Sequence, residues 1–374
     1  MAFVRNVAIS AAVLLLAGCA STTPTDAADS PDPKPPVSAT PTPTATAAAQ
    51  PLSRLDLTCE DLADTEMIEL VFGKKLDSVD PLEHAFSESA AMFYGYPELQ
   101  QGGILCLWQN GVDKSSDDYV SVNVDVLPDA KEQYDNYATE SYLVEPTCSN
   151  GYCSSNTLVD DTWVQVFLAG VPDQELEGAP LPAEVVALIN NIAGVIQGAG
   201  APIPAAELTP APDARDCATI IDADVVASAT GILEPFTTFN TADGPQVGMS
   251  FDADGNALIS SCAVAFNDGN IALQPLGALF LPDAEWAMRA AVAHGSPAGT
   301  SVEQAVEGIP EGDAFQRCES IHEGQTTCYL DMLVDSTWVQ LVLTTTIDAP
   351  TGAEIEADPI DALTEIATSV ATKL

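Results

Sequence analysis

The 374-residue sequence predicts an α+β chain made of one domain present twice, each copy an antiparallel sheet with helices packed mainly on one face. Three observations lead there. Short blocks recur in the same order along the chain, one segment alternates apolar and polar residues with period two, and segments flanking it carry apolar residues at helical spacing. Leu127-Pro128-Asp129-Ala130 returns as Leu281-Pro282-Asp283-Ala284, and Val159-Asp160-Asp161-Thr162-Trp163-Val164-Gln165 returns as Val334-Asp335-Ser336-Thr337-Trp338-Val339-Gln340. In both copies the tryptophan follows a cysteine, Cys153 or Cys328, by ten residues. The repeating unit is roughly 150 residues, a normal size for an independent core.

The first element is an export signal. Arg5 supplies a positive start, Val7 to Leu16 form an apolar run too short to span a bilayer, and Ala17-Gly18 are the small residues of a cleavage site, so residues 1–18 read as a removable leader. Cys19 follows at once. Leu16-Ala17-Gly18-Cys19 resembles the lipobox of bacterial lipoproteins, which implies a diacylglycerol thioether on Cys19 and a membrane attachment through lipid alone. Residues 19–51 are the next element, a stalk. Eight prolines, at 24, 31, 33, 35, 36, 41, 43 and 51, stand among Thr, Ala and Ser, too few large apolar side chains to build a core. As polyproline II it reaches roughly 100 Å, at about 3.1 Å per residue.

Copy one is expected over 52–200, a Pro-rich linker over 201–212 and copy two over 213–374. Each copy opens with a helical pattern that runs fourteen residues from a cysteine to a glycine, Cys59 to Gly73 and Cys217 to Gly231. Leu62, Met67 and Leu70-Val71 give its apolar face in copy one, and Ile220-Ile221 with Val225-Val226 in copy two. Three strands follow. The clearest is Tyr119 to Val126, where Val120, Val122, Val124 and Val126 alternate with polar or amphipathic residues, the signature of a half-buried antiparallel strand. In copy two Asp254-Gly255-Asn256 and Asn267-Asp268-Gly269-Asn270 have hairpin-turn chemistry. A second helix starts at each Leu-Pro-Asp-Ala block, a two-strand hairpin turns at Asp160-Asp161 or Asp335-Ser336, and a closing helix presents Val185, Leu188, Ile192 and Val195, or Ile360, Leu363, Ile366 and Val370.

Removing Cys19 from nine cysteines leaves four per copy, and an exported chain places them where disulfides form. Four cysteines permit three pairings. The favoured set is Cys59 with Cys106 and Cys148 with Cys153, then Cys217 with Cys262 and Cys318 with Cys328. A zinc site is the competing use, but the last pair is separated by four residues in copy one and nine in copy two, a drift that suits hairpin crosslinks better than a metal knuckle. No Cys-x-x-Cys occurs, which disfavours a thioredoxin-like site.

The formal charge is −44, and it is shared evenly: 26 acidic and 5 basic residues in 52–200, 25 and 4 in 213–374. Such a field repels nucleic acid and anionic head groups and suits a basic partner surface. The three histidines, His84, His294 and His322, hold no equivalent positions, so a histidine-based site shared by both copies is not expected. There is no Gly-x-Ser-x-Gly elbow, phosphate loop or His-Glu-x-x-His helix. Asp252-Ala253-Asp254-Gly255-Asn256 looks like a calcium loop only superficially, its glycine being fourth rather than sixth. No metal and no cofactor is expected. The candidate ligand-facing residues are Asp160 with Trp163 and their repeats Asp335 with Trp338; the same residues read more simply as turn formers and core anchors.

Cys106-Leu107-Trp108 resembles a cysteine-aromatic block found in actinobacterial lipoproteins of unassigned function, in which a lipobox and Pro/Thr-rich stalk precede a disulfide-bearing domain. Cys262-Ala263-Val264 lacks the tryptophan. The family is similar in layout to extracellular sensor domains of actinobacterial membrane kinases. That resemblance implies an exported, noncatalytic module that binds or senses a small ligand or an envelope protein, and it supplies no catalytic residues. A spacer or assembly scaffold is the alternative, and a carboxylate-based cell-wall hydrolase a more distant one.

Overall fold

In the computed structural model the opening helix of copy one is two helices, α1 (Cys59–Leu62) and α2 (Thr65–Phe72), because a second cap interrupts it. Thr58 starts α1 through a capping box, its side chain accepting from the Asp61 amide while the Asp61 carboxylate accepts from the Thr58 amide. Asp64 lies in extended conformation and accepts from the Glu66 amide, so the chain restarts there as α2 and ends at the left-handed Gly73. The restart rotates the second apolar face: Ile68, Val71 and Phe72 are buried, whereas Leu70, expected inside, is 71% exposed.

The structure describes residues 49–81, 95–112, 116–140, 146–172, 181–207, 217–231, 236–240, 260–266, 276–294, 302–322, 325–344 and 358–374. The 1–18 leader, Cys19, the stalk up to 48, His84, residues 208–212 of the linker and the Gly-containing turns and calcium-like loop of copy two lie outside them.

Copy one continues with β1 (Asp77–Val79), α3 (Tyr96–Gln100), β2 (Ile104–Gln109), β3 (Ser121–Leu127), α4 (Lys131–Glu140), β4 (Thr147–Ser149), β5 (Tyr152–Val159), β6 (Thr162–Ala169) and α5 (Ala183–Ala199). Copy two contains α6 (Cys217–Ile220), α7 (Ala223–Thr230), β7 (Phe236–Asn240), β8 (Ser260–Phe266), β9 (Leu276–Leu281), α8 (Glu285–His294), β10 (Val302–Glu303), β11 (Ala314–His322), β12 (Gln325–Val334), β13 (Thr337–Thr344) and α9 (Pro359–Ala371). The two sheets are antiparallel, in the orders β1-β2-β3-β6-β5-β4 and β10-β11-β12-β13-β9-β8-β7. They are the same sheet twice, with β10 added. The second hairpin is larger than expected, since β4 and β11 bring an additional strand that carries Cys148 or Cys318.

Alternation along the strands sorts side chains onto two faces. Val122, Val124 and Val126 of β3 and Val164, Val166 and Leu168 of β6 meet Leu62, Ile68, Val185, Leu188 and Ile192 from α1, α2 and α5. Copy two repeats this main core with Ala278, Phe280, Val339, Leu341, Leu363, Ile366 and Val370. Helices α4 and α8 cover the other face. Its buried residues are Leu127, Ala130, Tyr137 and Trp163 in copy one, and Leu281, Ala284, Ala287, Met288 and Trp338 in copy two.

All eight cysteines of the copies are paired: Cys59–Cys106, Cys148–Cys153, Cys217–Cys262 and Cys318–Cys328. The first and third tie the opening helix to the sheet. The second and fourth join residues directly opposite each other across β4–β5 and β11–β12.

The linker segment 201–207 is partly docked rather than free. The Ile203 amide donates to the Arg54 carbonyl (2.8 Å), the Arg54 side chain donates back to the Ile203 carbonyl, and the Arg54 amide donates to the Gly102 carbonyl (2.9 Å). The Arg54 guanidinium also pairs with Asp129. A Cβ at Gly102, where φ is +71°, would fall 2.5 Å from the Arg54 side chain, so glycine is required at this crossing.

Candidate functional site

Each repeated Leu-Pro-Asp-Ala block touches the turn of its own copy. Asp129 and Asp283 have φ of 54° and 51°, and the next amide donates to the turn: Ala130 to the Asp161 carbonyl (2.8 Å), Ala284 to the Ser336 carbonyl (3.0 Å). Asp160 and Asp335 occupy the first turn positions with φ of 54° and 53° and are exposed. The two motifs therefore recur as halves of one joint that aims the α4 or α8 helix across the sheet.

Behind the joint stand Trp163 and Trp338, both 0% exposed. Neither ring faces solvent, and in the structure each aspartate shapes its turn while the tryptophan anchors the second face. In copy one the Trp163 Nε1 donates to the Asn156 Oδ1 (3.1 Å), which also accepts from the Gln165 Nε2 (3.1 Å), and the Asn156 Nδ2 donates to the Tyr137 hydroxyl (3.2 Å). Tyr134 and Tyr137 of α4 cover the indole at centroid distances of 5.6 and 5.0 Å. Each of these contacts is internal to copy one.

Copy two keeps the geometry and changes the chemistry. The Trp338 Nε1 and the Gln340 Nε2 both donate to Asp331 Oδ1 at 2.9 Å, and the buried Arg317 guanidinium pairs with the other Asp331 oxygen. Arg317 also lies 4.7 Å from the Tyr329 ring centre, and the Tyr329 hydroxyl donates to Glu319 (2.7 Å). Burial first, and then the bond to Glu319, push the Tyr329 hydroxyl well above the usual tyrosine range. Where α4 has Tyr134 and Tyr137, α8 has Met288 and Ala291, and the cover comes from elsewhere. Tyr96 of α3, in copy one, sits edge-on to Trp338 and Trp286 with centroids 5.3 and 5.5 Å apart. Gln100 of the same helix accepts from the Trp286 Nε1 (2.7 Å) and donates to the Asp283 carbonyl (3.1 Å).

On copy one α3 rests against the second face at β2 and β3. A Cβ on Gly95, the α3 N-cap, would strike Leu105 at 2.4 Å, and one on Gly103 would strike the Glu98 and Val126 carbonyls, each at 2.7 Å. Glu98 of α3 is 1% exposed, and Asp125 of β3 has Leu105 and Gln165 as its strand neighbours. Although part of Asp125 still reaches solvent, removal from water and then the Glu98 charge push its carboxyl up to about 8. In copy two the equivalent position, opposite Gln340, is Leu279. Sequence reasoning missed this cluster. The only signals were an asparagine or aspartate seven residues before each tryptophan and a glutamine two after it.

Two surface hollows are lined by described residues of copy one. An open one of about 450 Å³ is lined by Asp129, Lys131, Glu132, Asp135, Asn136 and Asp161. A groove of about 550 Å³ runs past Glu60, Asp61, Asp64, Lys75, Asp77 and Trp108. Their carboxylates attract cations, but Asp61 and Asp64 are already engaged as helix caps. Among the described residues no three His, Cys, Asp or Glu side chains gather to hold a metal ion, and no helix is long and apolar enough to cross a membrane.

No family model matches the chain, and no curated protein matches it. Among solved structures, DynU16 from the dynemicin biosynthetic locus aligns over 87% of this chain and 93% of that one, at 9% identity and a TM-score of 0.11, a likeness that carries no argument.

Proposed function

We propose that this chain is an exported lipoprotein, held to the cell membrane by lipid on Cys19, and that its two fused domains form a noncatalytic binding body for a partner with a basic surface. One observation carries the anchoring: eight of nine cysteines are joined in disulfides, and the one left over is Cys19, at the end of Leu16-Ala17-Gly18-Cys19. Four crosslinks suit an oxidising, extracytoplasmic compartment. The partner's sign follows from the −21 carried by each copy and from the acid-lined hollows. A small cationic ligand is served by the same surfaces, but their openness favours a protein face.

Radiolabelled palmitate tests the anchor: the native chain takes up label and Cys19→Ala does not. Equal labelling of both, or of neither, removes lipid from this reading. Crosslinking in intact cells tests the partner; a captured protein whose association weakens steeply with salt supports a charge-steered contact, and capture insensitive to salt contradicts it.

A further inference from the structure

The second face of copy one carries two rings that lie outside its core. Tyr152 of β5 and Phe167 of β6 are 54% and 37% exposed, and their centroids are 5.9 Å apart at an interplanar angle of 35°. Strand alternation puts Phe167 on the same side of the sheet as Trp163, four residues earlier, and Tyr152 on the same side as Asn156. Ser154 stands between them. It is directly opposite Phe167 and two residues from Tyr152, and across its other side is Thr147 of β4.

The duplication shows what such a row can hold. In copy two the register positions of Phe167, Ser154 and Thr147 are taken by Val342, Tyr329 and Arg317, and the Arg317 guanidinium lies 4.7 Å from the Tyr329 ring centre. That row supplies both its ring and its cation. Copy one has its rings one strand over and in the open, with a threonine where the arginine would be; the copy-two counterpart of Tyr152 is Thr327, 3% exposed. We propose that Tyr152 and Phe167 are the docking point for an arginine side chain of the basic partner, whose guanidinium lies against the two rings over Ser154. This rests on the basic-partner reading above and adds where that partner touches copy one. The 26 acidic and 5 basic residues of 52–200 draw a cation toward this surface. Arginine suits the rings better than lysine, because its guanidinium is planar, stacks on aromatic faces and is more weakly hydrated.

NMR on the full chain with labelled Tyr and Phe rings tests this, with tri-arginine and tri-lysine as probes of equal charge. Tri-arginine is expected to shift the Tyr152 and Phe167 ring resonances, and tri-lysine to shift them less. By calorimetry the double variant Tyr152→Ser with Phe167→Ser should bind tri-arginine about fivefold more weakly than the native chain. Rings that stay unmoved, or that answer both peptides equally, overturn the proposal. Thr147→Arg, which installs the copy-two residue, should cover the rings from within and weaken tri-arginine binding more than Thr147→Lys, which adds the same charge; equal effects also overturn it. Crosslinking in intact cells separates the docking point from the reading it rests on. A salt-sensitive partner captured equally by the native chain and the double variant overturns the docking point alone, whereas capture that is lost with the rings but indifferent to salt supports the docking point and overturns charge steering.

Discussion

The second faces of the two copies solve one problem differently. Each must cover a tryptophan that sits behind a repeated turn. Copy one does so with its own helix, through Tyr134 and Tyr137, and satisfies the indole with a neutral Asn156. Copy two has Met288 and Ala291 at those helix positions, uses the buried Asp331–Arg317 salt bridge, and borrows Tyr96 from copy one. The difference shows how a duplication becomes a single body: one copy is self-sufficient on this face, and the other is completed by it. Consistent with that, Thr46–Leu374 packs as one unit rather than two.

The sharpest way to break the comparison is at the polar centre of each seat. Asp331→Ala strands a buried guanidinium and is expected to destabilise by about 3–5 kcal/mol, whereas Asn156→Ala costs about 1–3 kcal/mol; urea denaturation of the two variants measures the gap. The double change Arg317→Thr with Asp331→Asn rebuilds the copy-one residues, Thr147 and Asn156, and should recover most of the loss. If it is as unstable as Asp331→Ala, charge is not what distinguishes the seats.

Next come the covers. Tyr96→Ala removes a fully buried ring at about 3–5 kcal/mol, and because that ring spans the copies, unfolding should separate into two transitions by tryptophan fluorescence. Tyr137→Ala weakens copy one but leaves a single transition. Two transitions for both, or for neither, deny α3 its special place.

The crosslinks sharpen the comparison by agreeing. Cys59–Cys106 and Cys217–Cys262 are 47 and 45 residues apart, so removing either pair by Cys→Ala should lower stability alike, by about 4 kcal/mol on loop entropy. Cys148–Cys153 and Cys318–Cys328, 5 and 10 apart, should matter less, about 2–3 kcal/mol. The smallest contrast is at the closing helices. Asp358 caps α9 through the Ile360 and Asp361 amides, while α5 begins at Pro182 with no side-chain cap. Asp358→Ala should cost about 1 kcal/mol, measured as a shift in Tm, and Pro182→Ala should produce no comparable loss.

Much of the fold was legible because it is local or repeated. The valines of β3 and the closing-helix faces follow from periodicity, whereas four cysteines per copy left three pairings open and the fold decides between them. The split of the opening helix turned on Asp64, whose side chain can cap as readily as it can sit on a helix surface. Helix α3 was invisible, since five residues beginning Tyr96-Pro97 leave no room for a period to show, and its partners stand nearly two hundred residues away, as Gln100 does from Trp286, 186 residues on. The alternation of β3 reads Asp125 as an outward-facing residue, and no pattern singled out Asp331. What buries them is a neighbouring element whose position no local pattern states.

Arg54 gives the chain a mechanical property. It stands near the start of the described residues, and its backbone and side chain bond to Gly102, to Ile203 where copy one gives way to the linker, and to Asp129. A pull at the N-terminal end is thus met by a clasp joining the start of copy one to its finish. The load is spread across several bonds at once, and the sheet and its tryptophan seat are spared being peeled open strand by strand.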